Sequence, residues 1–172
     1  SQSQGGLLDV KVHPNYDENG WIYLTYSSPE GSGAGANTAL MRAKLNDERT
    51  ELVSKEVLYK AEPNTERGQH FGSRIVFDND GHVFFGIGDR GACDVNREDI
   101  KRDAGKIYRV NEDGSIFDDN IFGGQDGLDA IFEYGIRNQQ GMDVHAESGQ
   151  LWEDEYGYCG GEEFNIIEEG NI

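Results

Sequence analysis

At 172 residues the chain is long enough for one ordinary domain with a sizeable core, or for part of a larger one. Its 33 acidic and 15 basic residues leave a formal charge of −18, which repels phosphate backbones and anionic lipid and argues against nucleic acid as a partner. Apolar residues make up 35% of the chain and no run of about 18 of them occurs, so no membrane-spanning helix is expected.

The first six residues are polar and lack the basic start and apolar middle of a secretory signal. Residues 8–12 alternate apolar and polar side chains and predict a strand. Residues 21–26, aromatic and β-branched, predict a second, and Asn19-Gly20 between them predicts a hairpin turn. A small-residue loop at 32–37 leads to a third strand at 39–45. Residues 53–58 read as a fourth strand, with a composition that also suits a short helix.

A second hairpin is expected from residues 74–77 and 83–87, turned by Asp78-Asn79-Asp80-Gly81. That acidic run lacks the spacing and closing glutamate of an EF-hand, so a turn explains it better than calcium. Residues 98–104 have room for one or two helical turns. A strand at 106–110 ends in the turn Asn111-Glu112-Asp113-Gly114. A third hairpin runs from 142–144 through Ser148-Gly149 to 151–152, and a last strand covers 164–167.

The hairpins repeat. His13, Asp78 and His145 each follow one strand and precede a turn and an aromatic-bearing strand, at a spacing of roughly 65 residues. Short strands with regular turns suit a sandwich, a barrel or a propeller, and the long repeat favours the propeller. Three such units do not easily close a ring: the all-β chain either is a partial propeller, about three blades of a longer one, or must hide two open edges another way. Cys93 and Cys159 match no zinc spacing; they pair if their loops meet, and two free thiols is the expected state.

The segment Gln69-His70-Phe71-Gly72-Ser73-Arg74 places an imidazole and a guanidinium four residues apart before an apolar strand. Glycine-bearing loops recur at Gly86-Ile87-Gly88-Asp89-Arg90-Gly91, Tyr134-Gly135-Ile136-Arg137-Asn138 and Glu155-Tyr156-Gly157-Tyr158. If they converge they build one polar site. Together with Gln4-Gly5-Gly6-Leu7-Leu8-Asp9-Val10, Gly105-Lys106-Ile107, Gln139-Gln140-Gly141 and Gly160-Gly161-Glu162-Glu163-Phe164-Asn165-Ile166-Ile167, these motifs resemble the soluble glucose/sorbosone dehydrogenase family, in order and approximate spacing.

The resemblance implies a six-bladed propeller that uses pyrroloquinoline quinone (PQQ) and calcium to oxidise aldose sugars at C1 to the lactone. It also implies a periplasmic or secreted setting, a separate electron acceptor, and residues 1–172 as a middle portion of one propeller domain, without its first blade and its last two or so. His70 matches the catalytic base, against the alternative of a structural histidine. Arg137 and Asn138 match a pair at the quinone, against simple pairing with a surface carboxylate. Gln4 and Gln69 resemble positions that orient cofactor or sugar. Asp89 either bonds the histidine side of the site or satisfies turn amides. Gly157 and Tyr158 match a pair whose carbonyls bind the cofactor calcium. Glu163 matches an acidic position linked to a second, structural calcium, with Glu162 in support or both acids simply solvated. The family's usual prolines are replaced by Phe117, Ile121, Gln139 and Tyr158, and Tyr156 stands where histidine is common. A propeller that binds carbohydrate or a protein partner without redox chemistry, or an inactive fragment, is the rival reading.

Overall fold

A computed structural model describes residues 3–124, 127–157 and 161–170, with the Cys93 side chain left out. Three antiparallel sheets follow one another along the chain. The first has the order β1 (Leu7–Val12), β2 (Ile22–Ser28), β3 (Asn37–Leu45), β4 (Leu52–Lys60). The second runs β5 (Ile75–Phe77), β6 (His82–Ile87), β7 (Lys106–Asn111), β8 (Ile131–Tyr134). The third runs β9 (Gln139–Val144), β10 (Leu151–Glu155), β11 (Glu163–Ile167). Each sheet is a meander with neighbours in sequence paired in space.

The first strands of the sheets converge: β5 touches both β1 and β9. The Ile75 amide donates to the Asp9 carboxylate at 2.9 Å, and the Thr25 hydroxyl to the Ser73 carbonyl at 3.1 Å. Meanders stacked face to face around converging first strands are blades of a β-propeller, and the chain is a three-blade part of one. Among the described residues no helix is long and apolar enough to cross a membrane.

The second sheet explains why its strands read as continuous apolar runs rather than alternating ones. Ile75, Val83, Phe85, Ile87, Tyr108 and Ile131 pack against Tyr23, Leu40 and Ala61 of the first sheet side. Val76, Phe84 and Ile107, on the other face, pack with Leu151 and Ile167 of the third. A strand buried on both faces has no polar side to alternate with. The outward faces of the end sheets stay open, with Leu7, Val10, Val12 and Val57 exposed on one and Phe164 and Ile166 on the other.

The repeat seen in the sequence has a structural cause. His13, Asp78 and His145 each follow the first strand of a sheet. Each accepts a backbone N–H from the turn beyond it: Asn15 at 2.9 Å, Asp80 at 2.9 Å and Ser148 at 3.2 Å. The same polar turn is thus built three times, twice with an imidazole and once with a carboxylate.

Several expectations need correction. Asn19-Gly20 does sit in the turn that joins the paired strands β1 and β2, but not as a two-residue hairpin turn. It closes a one-turn helix, α1 (Tyr16–Asn19), with Gly20 left-handed at φ 70° donating to the Tyr16 carbonyl. Residues 98–104 are turns rather than helix. Asp99 Oδ1 takes the Lys101 amide, and the buried Lys106 ammonium takes the carbonyls of Asn96, Arg97 and Ala104. The short helix is α2 (Cys93–Asn96), just upstream. The 53–58 segment is a strand, since β4 pairs along β3. Strand β8 is not among the expected strands; only its last residue, Tyr134, falls in the glycine-bearing loop at 134–138. Any pairing of Cys93 with Cys159 lies outside the described residues.

The layer between the second and third sheets holds two acids with little compensation. Glu133 and Glu153 are 5% and 1% exposed, and one carboxylate oxygen of each has no hydrogen-bond partner among the described residues. Burial first, then neighbouring carboxylates, push Glu133 up to about 8; burial pushes Glu153 up to about 7. A raised folded-state pKa means the folded chain holds more protons, so stability is lost as pH climbs from the ordinary carboxylate range through 7 to 8. Glu133→Gln and Glu153→Gln are therefore expected to raise the thermal midpoint at pH 8.5 and to change it little at pH 5. The gain is roughly 2–4 °C for each kcal/mol recovered. Equal midpoint shifts at both pH values would show that ionisation of these acids plays no part.

Candidate functional site

Four loops and the segment before β1 meet at one rim of the three sheets. They hold one another mainly through side chains bonded to neighbouring backbones. Gln4 Oε1 accepts the His70 N–H at 2.8 Å, and the Gln4 N–H donates to the Gly68 carbonyl at 2.8 Å. Asn138 Oδ1 accepts the Gly72 N–H at 3.2 Å, and the Asp89 N–H donates to the Arg137 carbonyl at 2.7 Å. Glu155 Oε2 accepts the N–H groups of Arg137 and Asn138 at 2.5 and 3.0 Å. The Arg137 guanidinium donates to the Tyr156 carbonyl at 2.5 Å.

The approach of the loops demands unusual backbone. His70, Gly72 and Ser73 have φ of 53°, 62° and 88°, in the left-handed region that costs a non-glycine residue energy. At Gly72 a Cβ would lie 2.8 Å from the Gly88 nitrogen, so glycine is required where the two loops touch.

The loops enclose a cavity of about 490 Å³ lined by Gln4, Leu7, Leu8, His70, Phe71, Gly72, Arg74, Arg137, Asn138, Gln140, Tyr156 and Gly157. The imidazole and the two guanidiniums therefore face one hollow, as the converging-loop reading requires. In a chain of charge −18, that lining contains, among the described residues, two arginines and no acidic side chain, with Asp9 3.7 Å from Arg74 Nη1 outside it. Arg74 is oriented by its Nε, which donates to the Gln140 carbonyl at 2.5 Å.

Behind His70 lies Asp89, 1% exposed. His70 Nδ1 is 2.7 Å from Asp89 Oδ1, which also accepts the Gly91 N–H at 2.7 Å. An ionised carboxylate only accepts, so Nδ1 carries the proton and the neutral ring keeps its lone pair on Nε2. Asp89 thus bonds the histidine and satisfies a turn amide together; the two alternatives are not exclusive.

Of the residues singled out in the sequence, Gln4, His70, Arg137, Asn138 and Gly157 line the hollow. Asp89 stands behind it. Gln69 is exposed and its amide lies against Gly91. Tyr158 lies outside the described residues. Glu163 is exposed on β11, opposite Glu155, and lines a separate cavity of about 320 Å³ with Arg97, Glu133 and Asn165 among its neighbours. Glu162 is also exposed. Among the described residues no group of three or more histidine, cysteine or acidic side chains is placed to hold a metal ion.

Leu7, Leu8 and Gln140 in the lining, and Glu155 beneath it, stand inside the motifs above, but in the sequence none of them has a role of its own. Only the position of Glu155 under two loop amides, on the buried face of β10, gives it work.

The whole chain, residues 1–172, matches the family model described as Glucose / Sorbosone dehydrogenase. It is 36% identical over 171 residues to aldose sugar dehydrogenase YliI of Escherichia coli (strain K12), covering 99% of this chain and 46% of that protein. It is 28% identical over 193 residues to quinoprotein glucose dehydrogenase B of Acinetobacter calcoaceticus, covering 99% of this chain and 39% of the relative. A crystal structure of a glucose dehydrogenase superposes with a TM-score of 0.93 at 33% identity, over 98% of this chain and 48% of the other. The chain belongs to the glucose/sorbosone dehydrogenase family. It spans about half the length, or less, of the relatives it matches.

Glu155→Ala is expected to leave the Arg137 and Asn138 amides without acceptors. The cost is about 1–3 kcal/mol, and exchange of these two amides should be at least tenfold faster by hydrogen–deuterium exchange. Unchanged protection would show that the loop holds its shape without the carboxylate.

Proposed function

We propose that the chain contributes the base and part of the cofactor cradle to a quinone- and calcium-dependent dehydrogenase, which oxidises aldose sugars at C1 to the lactone. Residues 1–172 then form part of one propeller domain, working in the periplasm or outside the cell and passing electrons to a separate acceptor. The observation that carries this reading is the acid-free hollow, where two guanidiniums face an imidazole backed by a buried carboxylate. The similarity to an aldose sugar dehydrogenase and to a quinoprotein glucose dehydrogenase supports it.

The residues present fit the cofactor. Pyrroloquinoline quinone carries three carboxylates, and a hollow with Arg74 and Arg137 but no acid suits an anion of that kind. Arg74, Arg137, Asn138 and Gln140 would hold it. Calcium would take the carbonyls of Gly157 and Tyr158. A carbonyl set without carboxylates leaves a divalent ion short of charge, which an anionic quinone supplies. Bound there, the quinone supplies the hydride acceptor and calcium the Lewis acid.

This chain's own residues do the rest. His70 Nε2, left bare by the Nδ1 bond to Asp89, takes the proton of the sugar C1 hydroxyl as the hydride leaves C1. Asp89 steadies the imidazolium that forms, as a buried acceptor already aligned with Nδ1. Arg137, held by the Tyr156 carbonyl, places fixed positive charge where negative charge develops. Gln4 and Asn138 hold the His70 loop at the hollow through its amides. Glu163, in its separate cavity, would serve a structural calcium.

In the full-length protein carrying this chain, His70→Ala is expected to lower sugar oxidation by at least a thousandfold while leaving quinone binding near the wild-type value. Dye-linked turnover and the visible spectrum of added quinone measure the two. Wild-type turnover in the variant would remove the base assignment. A wild-type protein that takes up no quinone in the presence of calcium would favour a binding propeller without redox chemistry.

A further inference from the structure

Asp89 holds the ring of His70, but the backbone that carries the ring is held by the next residue. Arg90 is 1% exposed, among the largest fully buried side chains of the molecule. Its Nη1 donates to the Gln69 carbonyl at 2.5 Å, and its Nη2 to the Arg67 carbonyl at 2.7 Å. A longer contact from Nη2 reaches the Ala36 carbonyl at 3.4 Å. The guanidinium carbon sits 3.4 Å over the centre of the Phe71 ring. Arg90 therefore grips the residue before His70 by its carbonyl and the residue after it by its ring.

Such a grip has something to oppose. His70 sits at φ 53° and Arg90 itself at φ 56°, both in the left-handed region, where a non-glycine residue persists only when its surroundings hold it there. Among the described residues the guanidinium donates to carbonyls and to no carboxylate, and its Nε has no acceptor. A buried cation of this kind is expensive. Burial draws its pKa down to about 10, which still leaves it charged at neutral pH. Three carbonyls and a ring face are the compensation, and two of those partners flank His70. The contact is also made from the other side: the Arg67 guanidinium donates to the Gly91 carbonyl.

We propose that Arg90 is a positioning residue, setting the place and tautomer of His70 by clamping the 67–71 backbone against the turn that carries Asp89. Its consequence for turnover rests on the reading of His70 as the base; the clamp itself does not. Arg90 differs from Asp89 in acting on peptide units rather than on the ring. Lysine is a poor replacement, because an ammonium cannot fork between two carbonyls while lying flat on a ring.

Two variants test this, Arg90→Lys and Arg90→Met. Nitrogen NMR of the chain reads the His70 ring, and hydrogen exchange reads the amides of residues 70–72. Both variants are expected to lose the single-tautomer ring pattern and to exchange those amides at least tenfold faster, with the lysine variant nearer wild type in thermal midpoint. In the full-length protein, Arg90→Lys is expected to lower kcat tenfold or more with KM little changed. An unaltered ring spectrum with unaltered exchange in either folded variant overturns the proposal. Should neither variant fold, exchange of the Arg90 guanidinium protons in the unmodified chain decides. Opening in step with the amides of 70–72 supports the clamp, and independent opening overturns it. A changed ring spectrum alongside a fully active His70→Ala variant would sink the base assignment and keep the clamp. Lost turnover in Arg90→Lys with an unmoved ring would sink the clamp alone.

Discussion

The bond between His70 Nδ1 and Asp89 Oδ1 crosses from the loop that enters β5 to the turn that leaves β6, and the site depends on that crossing. It works because β5 and β6 pair antiparallel with Ile75 opposite Phe85, which brings the start of one strand beside the end of the other. A two-strand ladder therefore sets the distance between a ring and a carboxylate 19 residues apart in sequence. The third sheet joins the same arrangement through the Arg137 carbonyl, which takes the Asp89 amide. Removing the crossing bond would leave the ring without its orienting partner, while Gln4, Asn138 and Arg90 still hold the backbone that carries it.

Charge is distributed with a pattern that the total conceals. The chain carries −18, yet among the described residues the hollow is lined by two guanidiniums and no acid. The acids withheld from it reappear where they are costly, as Glu133, Glu153 and Glu155 between the second and third sheets. Glu155 repays its burial by accepting two loop amides. Glu133 and Glu153 each keep an oxygen with no partner among the described residues, and protonation is the means by which such groups reduce the cost of burial. The boundary beneath the site is thus held firmly at its rim and weakly further out.

The two outward sheet faces differ from the inner ones in exposure, not in kind. Val10, Val12 and Val57 on one and Phe164 and Ile166 on the other are residues suited to a buried sheet face, and they are exposed. The matched relatives are more than twice as long as the matched stretch. Both facts accord with a propeller of which these three sheets are a part.

Much of the fold was legible because strands buried on one or both faces leave an apolar record, and because His13, Asp78 and His145 mark the same turn three times. Asn19-Gly20 marked the turn between β1 and β2 but not its type, because a glycine that ends a helical turn and one that turns a hairpin look alike without their hydrogen bonds. Residues 98–104 misled because a local turn wins there, with Asp99 taking the Lys101 amide and the Ala104 carbonyl going to Lys106. For the site, the motifs around His70 and Arg137 carried their chemical types in the sequence, and the resemblance carried their expected roles. Which side chains share a hollow, that Asp89 sets the tautomer, that Glu155 lies under the loop and that Arg90 grips both flanks of His70 were decided only by tertiary structure. Side-chain type is a local property, whereas distance between loops is set by how sheets pair and stack.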